Sequence, residues 1–389
     1  MDDTHIMITG GGIAGLCLAH GLRRAGLGVT LFERDPSATH RHQGYRITLK
    51  ETGADALRAC LPAHLFDLAV ATSIRPATRM IFMDPGLRPK FAKDIPYAEP
   101  GVTGLGVNRL TLREVLLTGL AESVRFGMDH RRYERLDGGV RAHFADGRSV
   151  DGDLLVGADG VGSRVREQLL PGAVVDDLGW ALYGRTWITP ALLAATPPEL
   201  VDSFNRVVSP GGTAVSIATC RPLTPVPAAV ARHAPGAQVT DVPGYFSWTM
   251  TVPGPRPDGM PPAELHRLAT ETVHGWHEGV RRIVDAADPG ETFVQRLHSA
   301  RPVEPWDEPA VTLVGDAVHS MSPGRGEGAN IALRDARLLS EVLAGATAQG
   351  RPPGPAKAGY ERRMLDYAFT AVQASREHPF APFQRPATG

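Results

Sequence analysis

Apolar residues near the N-terminus follow a strand, turn, helix, strand pattern. Residues 5–9 form an apolar run that stops at a cluster of glycines, and the next residues place Leu16, Ala19 and Leu22 at helical spacing. A second apolar run follows at residues 29–32. Short apolar runs bounded by glycines are typical of buried strands, and a period of three to four residues is typical of a helix with one buried side. The segment therefore predicts a β-α-β unit.

A similar change from strand to turn occurs twice more. Residues 153–158 form an apolar run that stops at Asp159-Gly160, and residues 310–319 contain another that stops at Gly315-Asp316. The second run is followed by a helical pattern over residues 332–343. These patterns predict two further buried strands, each leading through a glycine turn into a helix.

The middle of the chain has a different pattern. From Trp180 to about Glu291, short runs read as strands with one buried face. Residues 210–212, Pro-Gly-Gly, are predicted to close a hairpin. The proline-rich stretch 221–244 predicts a long surface loop. An antiparallel sheet is therefore expected between the two later strand-turn segments.

Composition narrows the class of protein. The chain has 389 residues, enough for two intertwined domains, and its 42% apolar and 21% charged residues are ordinary for a globular protein. Its net charge of −1 gives no electrostatic reason to expect nucleic acid as a partner. Its 3 widely spaced cysteines favour a reducing cytoplasm over a disulfide framework. The acidic N-terminal segment predicts no signal peptide, and no apolar run is long enough to predict a membrane span.

The first glycine cluster carries a chemical signal. Gly10, Gly12 and Gly15 fit the pattern G-x-G-x-x-G between a strand and a helix, which is typical of a dinucleotide site. The first glycine allows the tight turn, the second lets a pyrophosphate approach the backbone, and the third lets the helix pack on the strand. Glu33, at the end of the second strand, can accept hydrogen bonds from a ribose and would repel a 2′-phosphate. FAD or NAD is therefore expected rather than NADP, and an ordinary tight turn is the alternative.

Taken alone, the other two glycine segments indicate ordinary structure. After the Asp-Gly turn, Ser163 can cap a helix in which Arg164 and Arg166 would form a solvated basic end. Residues 323–328, rich in glycine, would be a flexible connection. His319 has no second His or Cys at metal-binding spacing, so we expect a structural hydrogen-bonding role and no metal site.

Together and in this order, the three motifs resemble the FAD-dependent aromatic hydroxylases, the single-component (class A) flavoprotein monooxygenases with the para-hydroxybenzoate hydroxylase fold. Residues 10–35 resemble the family's first motif, residues 158–166 its Asp-Gly motif, and residues 315–339 its Gly-Asp motif. Residues 360–375 resemble the C-terminal helix of the smaller bacterial members, including tetracycline-inactivating monooxygenases. The thioredoxin-like domain of the longer members is not expected.

The resemblance implies an α/β fold (α+β overall) with a Rossmann-like FAD-binding domain, an inserted, mainly antiparallel β-sheet substrate domain and a C-terminal helix. The FAD-binding domain would comprise residues 1–75, 100–178 and 298–350. The substrate-binding domain would comprise residues 76–99 and 179–297. The C-terminal helix would span residues 351–378, and the tail residues 379–389.

The family's geometry implies a set of FAD contacts. Asp316 would bind the ribityl or pyrophosphate part, and residues 323–328 would lie along the isoalloxazine ring. The helix beginning near Asn330 would point at the N1/C2 carbonyl edge and stabilise the reduced flavin. Arg109 and Arg41 match the family's arginines near the cofactor. The complete predicted set is Gly10, Gly12, Ile13, Ala14, Gly15, Glu33, Arg34, Arg41, Arg109, Asp159, Asp316, Pro323, Gly326, Gly328, Ala329 and Asn330.

The candidates for the substrate cavity are Trp187, Arg206, Trp248, Met250 and Arg46. The first four lie on predicted strands, where each could instead pack or face solvent, since alternate residues of a strand point to opposite sides. Residues 205–209 resemble a segment of the tetracycline-modifying relatives whose arginine lies in the substrate cavity, which favours Arg206. Arg46 is the alternative to Arg41 near flavin and nicotinamide, and a solvated loop arginine is the other interpretation of both.

The resemblance implies a cytoplasmic, FAD-dependent, NAD(P)H-consuming monooxygenase that acts as a monomer or homodimer. It would hydroxylate or epoxidise an aromatic or polycyclic small molecule with O2 through a flavin C4a-hydroperoxide, in antibiotic modification or secondary-metabolite tailoring. No catalytic side chain is expected, because the flavin carries the chemistry. The sequence has no second G-x-G-x-x-G unit, so NAD(P)H would dock transiently. The alternatives are a same-fold reductase or dehydrogenase that does not use O2, and a catalytically silent FAD-binding redox sensor.

Overall fold

The computed structural model describes residues 4–38, 40, 45–96 and 99–377. Within these residues the strands are, in chain order, β1 (His5–Thr9), β2 (Gly28–Glu33), β3 (Arg46–Lys50), β4 (Arg79–Met83), β5 (Pro89–Asp94), β6 (Gly104–Asn108), β7 (Val124–Phe126), β8 (His130–Leu136), β9 (Gly139–Phe144), β10 (Ser149–Gly152), β11 (Leu154–Gly157), β12 (Val175–Trp187), β13 (Ser203–Val208), β14 (Ala214–Cys220), β15 (Tyr245–Thr251), β16 (Phe293–Ala300) and β17 (Val311–Leu313). The α-helices are α1 (Ile13–Arg24), α2 (Glu51–Cys60), α3 (Ala63–Ala71), α4 (Arg109–Leu117), α5 (Arg164–Leu169), α6 (Pro190–Ala195), α7 (Val226–His233), α8 (Pro262–Thr272), α9 (Glu278–Asp285), α10 (Asp316–His319), α11 (Gly328–Ala348) and α12 (Pro353–Glu377).

The apolar runs predicted as buried strands meet in one parallel sheet. In the described part of the chain its order is β17-β11-β1-β2-β7. Nearly every residue of β1, β11 and β17 is buried, as expected for a parallel sheet that is covered on both faces. α1 connects β1 to β2 and packs against α2, α4 and α11, while β9 and β10 lie against β11 and β1. The carboxyl ends of β1, β11 and β17 therefore lie side by side.

A second, larger sheet contains the strands predicted for the middle of the chain. Its order over the described residues is β16-β12-β15-β14-β13-β4-β5, and its pairs are antiparallel except for the parallel pair β13–β4. Residues 79–94 thus join residues 175–300 in a single sheet. The mixed α/β architecture, with a Rossmann-like sheet, an inserted mainly antiparallel sheet and C-terminal helices, confirms the predicted fold class.

The two faces of this larger sheet have different neighbours. Ile81, Val207 and Ile283 belong to a core cluster in which the sheet packs against α8 and α9. On the opposite face, Tyr245 packs with Tyr183, Phe293 and, from outside the sheet, Tyr45 at the start of β3. We call this side, which carries Tyr183, Tyr245 and Phe293, the β3 face.

The prediction of a long surface loop at residues 221–244 is wrong in part. The stretch contains α7, whose Val226 and Ala229 are buried, and the helix packs against α3. Prolines obscured it, because Pro225 and Pro227 flank the first helical residue, where a missing N–H costs no hydrogen bond. The predicted hairpin is present: Val208 of β13 pairs with Ala214 of β14.

Candidate functional site

The first glycine turn leaves a space beside bare backbone. Gly10 has φ +104°, and a Cβ there would lie 2.3 Å from the carbonyl oxygen of Ala158. A Cβ on Gly15 would lie 2.2 Å from the carbonyl oxygen of Gly10, so α1 packs directly on the turn. A Cβ on Gly12, in contrast, would meet no atom of the described residues within 4 Å. Two glycines are thus required by close packing, while the third opens onto free space.

The free space faces the N-terminus of α1. Gly12 is the N-cap residue and no side chain caps the helix. The first backbone hydrogen bond of the helix runs from Leu16 N to Gly12 O, 3.0 Å, so the N–H groups of Ile13, Ala14 and Gly15 precede the first intrahelical donor. Unpaired N–H groups and the positive end of the helix dipole favour a phosphate group there.

Glu33 is held beside this turn by a residue that the sequence did not single out. One carboxylate oxygen of Glu33 accepts from Gly11 N (2.9 Å) and from Nη2 of Arg113 (3.2 Å), and the other accepts from Asp35 N (2.9 Å). Arg113 Nε also donates to Gly11 O, 3.0 Å. Both side chains of the ion pair are buried, at 6% and 3% exposure. Arg34 is exposed beside them.

Arg113 offers a test of how the turn is supported. Arg113→Met leaves the Glu33 carboxylate buried without its ion-pair partner, which costs about 3–5 kcal/mol of folding free energy, and frees the carbonyl of Gly11. We expect FAD affinity to fall at least about 10-fold, measured by quenching of flavin fluorescence. Arg125→Met, at an exposed arginine of β7 that donates to the carbonyl of Glu122 (2.9 Å), is the control. Equal FAD affinity in both variants would contradict the role.

The Asp-Gly motif lies against the first turn. Asp159 Oδ2 accepts from Arg164 N, 3.0 Å, whereas Oδ1 is buried without a hydrogen-bond partner among the described residues. Burial raises the pKa of Asp159. Ser163 caps α5 as expected, accepting from Arg166 N. An unpaired carboxylate oxygen beside Gly10 is a ready acceptor for a hydroxyl or amide of a bound cofactor.

The sequence alone suggested that Arg166 forms part of a solvated basic end of α5, and the structure shows that this prediction is wrong. Its side chain is buried, with Nη1 donating to Ala317 O (3.0 Å) and Nη2 to Val161 O (2.8 Å). The guanidinium therefore joins the Asp-Gly motif to α10 of the Gly-Asp motif. The sequence pattern missed this because the acceptor lies 151 residues away.

The Gly-Asp turn is fixed by a buried hydrogen-bond network centred on Asp335 of α11. Its Oδ2 accepts from Gly315 N (2.8 Å) and lies 2.6 Å from His319 Nε2, and its Oδ1 accepts from the hydroxyl of Tyr367 of α12 (2.6 Å). Burial opposes a charged His319, but the Asp335 carboxylate outweighs it and raises the pKa of the imidazole. His319 is thus a structural residue, and Asp316 beside it is exposed.

The Gly-Asp turn also touches the first motif. A Cβ on Gly315, which has φ +63°, would lie 3.1 Å from Cβ of Ala332 and 3.5 Å from Cβ of Ala14. Gly10 contacts Ala158, and Arg166 contacts Ala317. The three motifs, far apart in the chain, therefore meet at one place.

The side chain of Asn330 connects residues 323–328, which we call the glycine loop, to β3 through hydrogen bonds. Its Oδ1 accepts from Lys50 N (2.7 Å), and its Nδ2 donates to Gly326 O (2.7 Å) and Thr48 O (3.1 Å). A Cβ on Gly53 would lie 2.4 Å from this Oδ1. All of these hydrogen bonds join the Asn330 side chain to the protein's own backbone. Pro323 begins a 3-10 turn, and Gly328 and Ala329 open α11, which has no side-chain cap.

The predicted substrate residues separate into two groups. Trp248 and Met250 are fully buried in the core with α8 and α9, on the face opposite the β3 face, so their positions do not support a substrate role. Trp187 and Arg206 lie on the β3 face: Trp187 contacts Tyr245 with ring centroids 6.2 Å apart, and Arg206 donates to Thr251. The sequence indicated that side chains along these strands alternate between the two faces of the sheet, but it did not indicate which face the helices cover.

The remaining predicted arginines lie near β3. Arg46 begins β3, and its Nε is buried without a hydrogen-bond partner among the described residues. Arg109 begins α4 with its side chain exposed, and its N–H donates to Tyr45 O, 3.0 Å. Arg41 lies outside the described residues.

Two absences complete the description of the site. No group of three or more His, Cys, Asp or Glu side chains in the described residues is arranged to hold a metal ion. No helix among them is both long and apolar enough to cross a membrane.

The guanidinium of Arg206, on the β3 face, is partly shielded from solvent, and this burial lowers its pKa.

Comparison with known proteins identifies the family. The model of the FAD binding domain matches residues 3–172 and 279–375. A crystal structure from Photorhabdus luminescens subsp. laumondii, provisionally assigned as an FAD containing monooxygenase, is 32% identical and superposes with a TM-score of 0.82, covering 98% of this chain and 100% of that one. The FAD-dependent monooxygenase thnD of Trichoderma harzianum is 29% identical over 96% of this chain and 92% of its own length.

A further relative extends well beyond this chain. The dual O-methyltransferase/FAD-dependent monooxygenase elcB of Phaeosphaeria nodorum is 32% identical over 382 residues, which are 88% of this chain but 40% of elcB. The chain thus spans less than half the length of that relative. The converging glycine turns, the open helix N-terminus and the family match agree on FAD as the cofactor. The chain therefore belongs to the FAD-binding-domain family of class A flavoprotein monooxygenases.

Proposed function

We propose that this protein is an FAD-dependent monooxygenase that uses NAD(P)H and O2 to hydroxylate or epoxidise an aromatic or polycyclic small molecule. The observation that carries the proposal is the meeting of three glycine motifs around an uncapped helix N-terminus, beside an aromatic sheet face. The class of the relatives supports the reaction type. One oxygen atom of O2 would enter the substrate and the other would leave as water, with NAD(P)H oxidised.

The residues present fit FAD. The open space at Gly12 and the first-turn N–H groups of α1 would receive the pyrophosphate, and Glu33, fixed by Arg113, would bind the ribose. Asp159, with its unpaired buried oxygen, and Asp316, exposed at the Gly-Asp turn, are the further acceptors. Bound FAD would supply the redox chemistry, taking a hydride from NAD(P)H and activating O2.

The chain's own contribution is to place the substrate and to exclude water. β3 connects the two halves of the proposed site: its Thr48 and Lys50 end contacts Asn330 beside the glycine loop, and Tyr45 before its other end contacts the β3 face. Five residue steps at roughly 3.3 Å each separate these ends by about 16 Å. The substrate ring system would bind between the loop and the aromatic face, where apolar side chains would keep water away.

We also propose the predicted division of the chain into domains. Residues 1–75, 100–178 and 298–350 would bind FAD, and residues 76–99 and 179–297 would bind substrate. The parallel sheet and the seven-stranded sheet of the described residues support this division, since each has its own core cluster. The family model matches residues 3–172 and 279–375, which include most of the proposed FAD-binding portion together with residues 76–99 and 279–297.

The function is tested by turnover in a compound screen. The purified protein, supplied with FAD, is mixed with NADPH or NADH, O2 and a panel of phenols, quinones and polyketide-like aromatics. We expect yellow protein, a substrate that accelerates NAD(P)H oxidation, equal O2 uptake, and a product heavier by one oxygen atom. Turnover without O2 uptake would instead favour a same-fold reductase. Bound FAD that no nicotinamide donor reduces with any compound would favour a silent FAD-binding protein.

A further inference from the structure

Arg185 of β12 lies in an aromatic cluster on the β3 face. Its guanidinium carbon is 4.1 Å from the ring centroid of Trp187, 5.1 Å from that of Tyr45 and 5.8 Å from that of Tyr245. Arg185 Nη2 also forms an ion pair with Glu291, at 2.8 Å. We call these five residues the Arg185 cluster. A planar cation stacked on aromatic rings is held in one orientation at little entropic cost.

The cluster is fixed by hydrogen bonds from three directions. The hydroxyl of Tyr45 donates to Oε2 of Glu291 (3.1 Å) and contacts the carbonyl of the same residue. The hydroxyl of Tyr245 donates to Tyr45 O (2.9 Å) and accepts from Nδ2 of Asn108 (2.8 Å). Burial, followed by the Glu291 carboxylate, raises the pKa of Tyr45, so the phenol remains a donor. The position of Arg185 therefore does not depend on a bound molecule.

One donor of this fixed guanidinium has no acceptor in the part of the chain that the structure describes. Nε of Arg185 is buried without a hydrogen-bond partner among the described residues. The side chain as a whole is 15% exposed, and neighbouring Trp187 is 38% exposed. A buried N–H without an acceptor is unfavourable, because it has lost its hydrogen bond to water and gained none in return. An oxygen atom of a ligand that enters beside Trp187 would recover this cost.

The charge around the cluster favours a negative ligand. Arg206 lies on the same sheet face, and the positive charges of Arg46 and Arg109 act on the thiol of Cys220 and the phenol of Tyr183. The carboxylates of Glu291, which forms an ion pair with Arg185, and of Asp288 act on the phenol of Tyr45. Among the described residues, these three arginines add positive charge near the β3 face, which favours the entry of an anion over that of a cation.

We infer that Arg185 determines substrate specificity, selecting aromatic substrates that carry an acidic ring hydroxyl bound as its anion. Nε of Arg185 donates to that oxygen, and the ring packs beside Trp187. Glu291 is a positioning residue, since it acts by holding the guanidinium. This inference rests on the proposed function, because it assigns the oxygenated aromatic to the same site, but it concerns binding and not turnover.

The test measures binding of two probes that differ in one group. 2-Hydroxy-1,4-naphthoquinone is an anion at neutral pH, and 2-methyl-1,4-naphthoquinone is its uncharged counterpart of similar shape. Calorimetric titration of the FAD-bound protein, without NAD(P)H, should show the hydroxy compound binding at least about 10-fold more tightly, because only this compound can form a charge-assisted hydrogen bond with Arg185. Arg185→Met should reduce that preference to within about 3-fold by weakening the hydroxy compound alone.

Two further variants keep the result interpretable. Arg185→Lys retains the charge but not the Nε–H, so it should show a preference between those of wild type and Arg185→Met, and it serves if the methionine variant does not fold. Arg296→Met, at an exposed arginine of β16 paired with Asp258, should match wild type.

The inference fails separately from the proposed function. A wild-type protein that binds neither probe or both equally would overturn it, as would an Arg185→Met variant that keeps the wild-type preference. FAD binding and NAD(P)H-dependent oxygenation in the same preparations would leave the proposed function standing in each of those cases. Loss of the preference in Arg185→Met would support the inference even if no turnover substrate were found.

Discussion

Gly12→Val should abolish FAD binding without unfolding the protein. A Cβ at position 12 meets no protein atom within 4 Å, and the residue has extended backbone angles, φ −80° and ψ −178°, that valine adopts readily. The added side chain would occupy the space that the pyrophosphate needs beside the α1 N–H groups. We expect FAD affinity to fall at least about 100-fold with an unchanged circular dichroism spectrum. Fluorescence titration of FAD measures the loss.

Two other glycines provide controls for this experiment. Gly172→Val changes a glycine that also has open space around it but lies beyond α5, so FAD should bind normally. Gly15→Val places a Cβ 2.2 Å from Gly10 O and should lower the free energy of unfolding as well as FAD binding. Wild-type FAD affinity in Gly12→Val would show that the first motif does not hold the pyrophosphate.

Asp335→Ala should destabilise the fold and weaken FAD binding together. The carboxylate is fully buried and accepts from Gly315 N, His319 and Tyr367, so its removal leaves two buried groups and the half-buried Tyr367 hydroxyl without their acceptor. Loss of one member of a buried ion pair costs about 3–5 kcal/mol. Because Gly315 is released, the Asp316 turn should lose its position, and we expect FAD affinity to fall at least about 10-fold. Urea unfolding and FAD titration measure the two effects.

The size of the loss in unfolding free energy distinguishes the contribution of the Asp335 network from a general effect of substitution. Tyr367→Phe removes a single hydrogen bond to Asp335 and should cost about 0.5–1.5 kcal/mol. Asp55→Ala removes an exposed carboxylate paired with Arg58 and should fall within about 1 kcal/mol of wild type. If Asp335→Ala unfolded at the same urea concentration as Asp55→Ala, the network would not stabilise the turn.

The local parts of the site could be predicted from sequence. Each glycine turn lies between an apolar run and a helical period. Residues adjacent in the sequence therefore specify each strand, its turn and the helix that follows. The convergence of the turns was an expectation from family resemblance, because nothing in the spacing of Gly10, Asp159 and Gly315 states that their strands are adjacent. The parallel order β17-β11-β1 supplies that adjacency.

The supporting arginines could not be predicted in the same way. Arg113 and Arg166 each contact backbone or carboxylate groups far away in the chain, at separations of 80 and 151 residues for Glu33 and Ala317. A buried arginine and a solvated one have the same sequence signature on a short helix. One signal was available for Arg113: it lies four residues after Arg109, a residue already predicted to contact the cofactor.

The choice of sheet face was also beyond the sequence. Tyr245 and Trp248 lie on opposite faces of β15 because side chains alternate, and both are large and apolar. Only the packing of α8 and α9 decides which face becomes core, and it covers Trp248. Arg185 and Glu291 were missed for a related reason, since Arg185 of β12 meets Glu291 in the 3-10 turn just before β16, and the two are far apart in sequence.

The most direct test is a crystal structure of the protein with FAD. The prediction is one FAD whose pyrophosphate contacts the backbone at Gly12, whose ribose contacts Glu33 and whose isoalloxazine ring lies between residues 323–328 and the β3 face. An FAD bound elsewhere, or a ring on the opposite side of the seven-stranded sheet beside Trp248, would contradict the assignment of all three motifs to one cofactor.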